Sequence, residues 1–263
     1  MTDSWEELSP PDRLSAFRSL TPDQAQVFFL NLGAPDQAEF ILSLPEGERR
    51  IWLRQVAPDD TADLIQQVDD DEVEGLLSLL DDAARREVST LLAYRQDAAG
   101  GLMSPRFARL RPEMNVDEAI SYLRLQSGRV ETVYYAYALD NEQRLVGVVS
   151  FRDLFAAELH RTVQQVMRTK FIAVTEDIDQ EVVAELFAEH RLLAIPVLDT
   201  EGRMKGIVTV DDIVEVAREE ASEDIQKLGG MEALDAPYLD TGFWEMIRKR
   251  GGWLSALFVG EML

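Results

Sequence analysis

The 263 residues contain no cysteine and only two histidines, His160 and His190. Without thiols the chain forms no disulfide, no thiolate metal site and no cysteine nucleophile, a composition that suits a reducing compartment. Neither histidine has a second imidazole near it in sequence, so a Ser-His-Asp triad or a multi-histidine zinc site lacks raw material, and surface or satisfied core positions are expected for both. Bases are scarce as well. There are 26 Lys and Arg against 49 Asp and Glu, a formal net charge of −23. That sign repels phosphate backbones and anionic lipid heads, so nucleic acid is not an expected partner. Residues 1–20 lack a basic start followed by an apolar stretch, so no secretory signal is read there and a cytoplasmic start is expected.

The acids that are present are unevenly placed. Residues 1–100 carry 21 acids and 8 bases, residues 101–198 carry 14 and 11, and residues 199–240 carry 12 and 4. Two acidic regions therefore flank a nearly neutral middle. Two carboxylates brought to about 5 Å repel by about 3 kcal/mol at an effective dielectric near 20, less where salt screens them. A shared cation reverses the sign of that interaction. The plainer explanation is that the acids solvate two helical surfaces.

The first hundred residues repeat. Pro10, Pro22, Pro35, Pro45 and Pro58 fall at steps of 12, 13, 10 and 13, and Asp70 and Asp82 continue at 12 and 12. Headers such as Thr21-Pro22-Asp23, Ala34-Pro35-Asp36 and Ala57-Pro58-Asp59-Asp60 suit helix starts, because proline loses nothing in the first turn and the neighbouring acids oppose the helix dipole. Units this short are unstable alone and must stack. An all-α, right- or left-wound superhelix of about seven short helices is expected, ending near Tyr94. Asp59 and Asp63 are four apart and share a helical face that could hold a hard cation, and Glu39 has the matching place in its own repeat. The competing explanation makes Asp59 and Asp60 dipole partners of the first turn and Asp63 merely exposed.

Residues 98–222 contain a duplication. Leu102-Met103 and Val166-Met167 match at an offset of 64, and Gly147-Val148-Val149-Ser150 and Gly206-Ile207-Val208-Thr209 at 59. Each copy reads β-α-β-β-α. The strands are expected at 107–110, 132–139 and 145–150 and at 171–174, 194–198 and 204–209, with amphipathic helices at 116–123 and 181–188. Asp140-Asn141-Glu142-Gln143 and Asp199-Thr200-Glu201-Gly202 are hairpin turns. The pattern, and above all the segments 147–154 and 206–213, resembles the cystathionine β-synthase (CBS) domain pair. That resemblance implies an adenine-nucleotide site in which Asp153 and Asp212 take ribose hydroxyls and Ser150 and Thr209 lie near phosphate. Ser/Thr-x-x-Asp is equally a capping box, which needs no ligand.

After Glu223-Asp224-Ile225-Gln226-Lys227-Leu228-Gly229 the acidity ends, and Arg248-Lys249-Arg250 leads into Gly251-Gly252-Trp253-Leu254 and a further apolar run. A basic cluster, an interfacial tryptophan and an apolar stretch mark a cytoplasmic approach to a membrane span. Thirteen residues from Gly251 onward fall short of the roughly 20 needed to cross. A C-terminal amphipathic helix packed on the domains is the other explanation.

The helical acidic region, the duplicated unit, the junction Tyr94-Arg95-Gln96-Asp97-Ala98-Ala99-Gly100-Gly101-Leu102-Met103 and the segment 223–229 together resemble the MgtE family of magnesium channels or transporters. The fold implied is α+β and multidomain: a helical domain (1–97), CBS repeats (98–160 and 161–222), a connecting helix (223–250) and the start of a membrane helix (251–263). The resemblance implies a homodimer joined through the CBS domains, on the cytoplasmic face of a membrane, attached to a pore domain that is absent here. It also implies Mg²⁺ as the sensed ion. The implied ligands are Asp59 and Asp63, Asp199, Glu201 and Asp211, and Glu232, Asp235 and Asp240, with Glu39 as a further candidate. An adenine nucleotide is implied as a second ligand, and a nucleotide-responsive module is the rival to Mg²⁺ sensing. A hydrolase is disfavoured, because the acids come with no base or nucleophile.

Overall fold

The structure, a computed structural model, describes Trp5, residues 10–214 and residues 216–217. The chain divides into two compact units, Met1–Thr209 and Val210–Leu263, and of the second only a helix over 210–214 and residues 216–217 are described.

Among the described residues the first unit begins with seven helices: α1 (Pro10–Arg18), α2 (Pro22–Leu30), α3 (Ala34–Ser43), α4 (Glu46–Leu53), α5 (Pro58–Gln66), α6 (Asp70–Leu79) and α7 (Asp82–Leu91). Their first residues lie twelve apart throughout, so the irregular proline spacing in the sequence conceals a strict repeat. Proline takes the first or second helical position in α2, α3 and α5, and sits one residue earlier, at the cap, in α4. At α2 the Thr21 hydroxyl accepts from the Gln24 amide and the Gln24 side chain accepts from the Thr21 amide, which satisfies two orphan donors. Odd-numbered helices stack, α1 on α3, α3 on α5 and α5 on α7, and α4 meets α6. This stacking buries Phe29, Ile41, Leu53, Leu64 and Leu76. Trp52 joins the layers edge-on, with ring centroids 5.0 Å from Phe17 and 5.3 Å from Phe29.

The duplicated unit follows. Its first copy contains β1 (Arg109–Leu110), α9 (Val116–Gln126), β2 (Tyr135–Leu139), β3 (Leu145–Ser150) and α10 (Phe151–Ala156), after a short lead helix α8 (Ala99–Leu102). The second has a lead helix α11 (Val163–Val166), then β4 (Val174–Thr175), α12 (Gln180–His190), β5 (Ala194–Leu198) and β6 (Met204–Thr209). Each makes a three-stranded sheet with a parallel and an antiparallel pairing, in the order β1-β2-β3 or β4-β5-β6. The expected strand at 107–110 shrinks to two residues, and that at 171–174 moves to Val174–Thr175. The strand expected from Thr132 begins at Tyr135. There the Thr132 hydroxyl accepts from the Tyr134 amide, a local turn that competes with the ladder.

The leads are exchanged. Ser104, ahead of the first copy, pairs with Ile207 on β6 of the second, and Arg168, ahead of the second copy, pairs with Val148 on β3 of the first. The equivalences continue along the backbone. Val116 N donates to Arg161 O and Val163 N to Met114 O in one half, as Gln180 N donates to Asp97 O and Ala99 N to Ile178 O in the other. Each pair of bonds is related by the same offset of 64. The hairpin tips also cross, with Leu145 N donating to Gly202 O at 3.1 Å and Met204 N to Gln143 O at 3.0 Å.

Candidate cation and nucleotide sites

Pro58 starts α5 and places Asp59 and Asp60 in its first turn, where the positive end of the helix dipole favours carboxylates. Asp59 is only 5% exposed, Asp60 is exposed, and Asp63, one turn on, is half-buried. Glu39 occupies the equivalent place on α3 but is exposed and lies 2.5 Å from the Arg13 guanidinium, with Asp36 at 3.8 Å from the same nitrogen. A cation at Glu39 would have to displace the Arg13 guanidinium.

Asp199 closes the β5–β6 turn. Its Oδ1 accepts from the amides of Glu201 and Arg203, each at 2.9 Å, and Lys205 Nζ lies 3.6 Å from Oδ2. The Arg203 amide, ahead of the Glu201 amide and the Lys205 and Arg203 charges, holds this carboxyl below its ordinary range. Asp199 is therefore an anion wherever the protein is folded near neutral pH, as a hard-cation ligand must be. Asp140 makes the same turn in the first copy, accepting from Glu142 N and Arg144 N. Glu201 pairs with Arg203 at 2.6 Å. Asp211 is exposed in the helix over 210–214. Glu232, Asp235 and Asp240 lie outside the described residues. Among the described residues no three Asp, Glu or His side chains are grouped so as to hold a metal ion.

At the proposed nucleotide positions, Ser150 is the cap of α10 and its hydroxyl accepts from the Asp153 amide at 3.0 Å. The Asp153 carboxylate is 3.2 Å from Arg168, a residue of the exchanged lead. The first copy thus has its capping role filled. Thr209 is buried at the end of β6, and Asp212 is half-buried in the helix over 210–214. His160 and His190 are exposed beside the carboxylates of Glu158 and Glu189, which fits the surface reading.

Three contacts escaped the sequence because each joins residues far apart. They are Arg13 with Glu39, Arg168 with Asp153, and the Tyr94 hydroxyl with Glu176 Oε2 at 3.0 Å. Only the last had a signal, the junction motif around Tyr94. Among the described residues no helix is long and apolar enough to cross a membrane, and the expected membrane start at 251–263 lies outside them.

Residues 1–97 match the MgtE intracellular N domain, and residues 99–160 and 163–219 match the CBS domain. The magnesium transporter MgtE of Thermus thermophilus is 38% identical over 262 residues, which is 98% of this chain and 58% of that protein. This chain thus spans less than three fifths of that relative's length. A crystal structure of the cytosolic domain of the Mg²⁺ channel MgtE in complex with ATP superposes with a TM-score of 0.77 at 39% identity, over 81% of this chain and 88% of that one. The crystal structure of the soluble part of a magnesium transporter gives 0.68 at 28% identity, over 83% and 91%. The chain belongs to the MgtE family, with an MgtE intracellular N domain ahead of a pair of CBS domains.

Proposed function

We propose that this chain is the cytosolic part of an MgtE-type magnesium channel or transporter and that it senses Mg²⁺ to gate a pore. The observation that carries this is the charge map: the two acidic regions, net −13 over 1–100 and net −8 over 199–240, hold the candidate ligands, and the middle between them is close to neutral. Asp59 and Asp63 on α5, Asp199 and Glu201 on the second-copy turn, Asp211, and Glu232, Asp235 and Asp240 in the following segment would supply the oxygens. Mg²⁺ takes oxygen ligands and keeps several waters, so sites shared among carboxylates of separate segments are weak and respond at high free concentration. With the ion bound, the carboxylates attract through it and the acidic segments close up. Without it they repel and separate. The segment 223–250 then transmits the state to a membrane domain that begins at 251–263, and the CBS pair holds two copies of the chain together on the cytoplasmic face. Exposed Tyr122, Leu125, Phe155 and Leu159 in the first copy offer apolar area for that dimer.

The test is small-angle scattering during a Mg²⁺ titration from EDTA to tens of millimolar, with ionic strength matched by a monovalent salt so that bridging is separated from screening. A saturable fall in radius of gyration is expected, weakened when Asp59 and Asp63 are both changed to Asn. An unchanged radius would remove the bridging mechanism.

A second ligand is supported by the relative crystallised with ATP. The nucleotide's ribose would be held by Asp153 or Asp212, and its phosphates would lie near Ser150 or Thr209. In the first copy such a ligand must compete with Arg168 for Asp153.

A further inference from the structure

The internal symmetry separates what the CBS fold requires from what has been added to it. In the first copy, Val163 N donates to Met114 O and Gln164 N donates to Pro112 O at 3.0 Å. In the second, Ala99 N donates to Ile178 O and Gly100 N donates to Glu176 O at 2.9 Å. The backbone bonds are equivalent, yet the side chains differ at each position. Gly100 and Gly101 stand where the first copy has Gln164 and Gln165, which are exposed. Strand pairing therefore does not demand glycine here.

What demands it is the end of the helical region. A Cβ on Gly100 would lie 2.6 Å from Cδ1 of the Tyr94 ring and 2.9 Å from the Glu176 carbonyl oxygen, and one on Gly101 would collide with the Arg95 carbonyl oxygen. Tyr94 is seated in that space, and its hydroxyl donates to Glu176 Oε2 at 3.0 Å. The first copy has Glu158 and Pro112 at the positions of Tyr94 and Glu176, so it has neither the ring nor the acceptor. Burial, the bond to Glu176 and the charges of Glu176 and Asp199 push the Tyr94 hydroxyl up to about 12. It stays a donor at any physiological pH.

We propose that Tyr94 and Glu176 form a clasp that positions the last turn of the helical region on the second CBS copy, and that Gly100 and Gly101 are present to seat it. The inference rests on the Mg²⁺-sensing reading for its consequence. The junction is then a fixed hinge rather than a slack linker, and the helical domain is pre-ordered for the closed arrangement. Pre-ordering lowers the cation concentration needed to close it. Tyr94 and Glu176 are positioning residues and touch no cation.

Three variants of the whole chain test this: Tyr94→Phe, which removes only the hydroxyl, Glu176→Gln, whose amide oxygen still accepts from Tyr94, and Gly100→Ala, which unseats the ring. The readouts are the Mg²⁺ midpoint of compaction by scattering and, in EDTA, hydrogen exchange of the Ala99 and Gly100 amides. Tyr94→Phe is expected to raise the midpoint about two- to tenfold and to speed exchange by a similar factor, the range of one net hydrogen bond. Glu176→Gln is expected to stay within about twofold of the parent. Gly100→Ala, where it folds, is expected to exceed Tyr94→Phe in both. Unchanged midpoint and exchange in a folded Tyr94→Phe protein would overturn the clasp, as would equal effects of Tyr94→Phe and Glu176→Gln, which would assign the role to charge. If the parent does not compact with Mg²⁺, the sensing reading fails and exchange alone decides the clasp.

Discussion

A pair of equivalent glycines shows how much a single atom depends on its neighbours. Gly147 and Gly206 occupy the same place in the two copies, each facing a methionine of the exchanged lead. The three atoms nearest a Cβ on Gly147 all belong to the Met167 side chain, whereas the nearest to one on Gly206 is the Ser104 carbonyl oxygen, at 2.7 Å. Backbone held by the Ser104–Ile207 bridge cannot move aside as a thioether can. Gly206→Ala should therefore cost about 2–3 kcal/mol and Gly147→Ala about 1 kcal/mol, both within the range for overpacked sites. Urea unfolding of the two variants measures the difference, and equal losses would contradict it. Residue-scale legibility followed the same rule of local against distant. Ser150 as a cap and Asp199 as a turn residue were readable because their partners lie within four positions. The ion pairs of Glu39 and Asp153 were not, since their partners are 26 and 15 residues away and arrive only with the tertiary fold.

At the scale of elements, helix starts were the most legible feature. Proline and capping residues act within one turn, so the seven starts could be counted from sequence alone. The capping box of α9 allows a direct measure of how much such local signals contribute. Asn115 Oδ1 accepts from the Glu118 amide at 2.9 Å, and Glu118 Oε2 accepts from the Asn115 amide at 3.0 Å. Asn115→Ala should cost about 1 kcal/mol, and Asn115→Asp, which keeps the acceptor, much less. Chemical denaturation of the two variants separates these outcomes. Strands were less legible than helices. Patterns of burial placed β2, β3, β5 and β6 to within a few residues, but β1 and β4 are two-residue edges whose limits depend on their single partners.

The whole molecule is where sequence reasoning met its limit, because repetition at an offset of 64 shows that two copies exist but not how they share their parts. Local patterns cannot say which sheet an extended segment will join. Here the answer is the other copy's. Val163, which follows the first copy in the chain, is fully buried in that copy's core with Leu110, Val116 and Val149. Arg168 completes the edge of β3, while residues 99–104 leave to complete the second copy. Residues 98–160 produced alone therefore lack a core residue and an edge partner, and keep a lead with nothing of their own to pair with. They should be largely unfolded by circular dichroism at concentrations where residues 98–222 show a cooperative transition, or should associate into dimers that restore the exchange between chains. Sedimentation distinguishes these two forms. A monomeric, cooperatively folded 98–160 fragment would mean that each copy is an independent domain and that the exchanged leads are incidental to its stability.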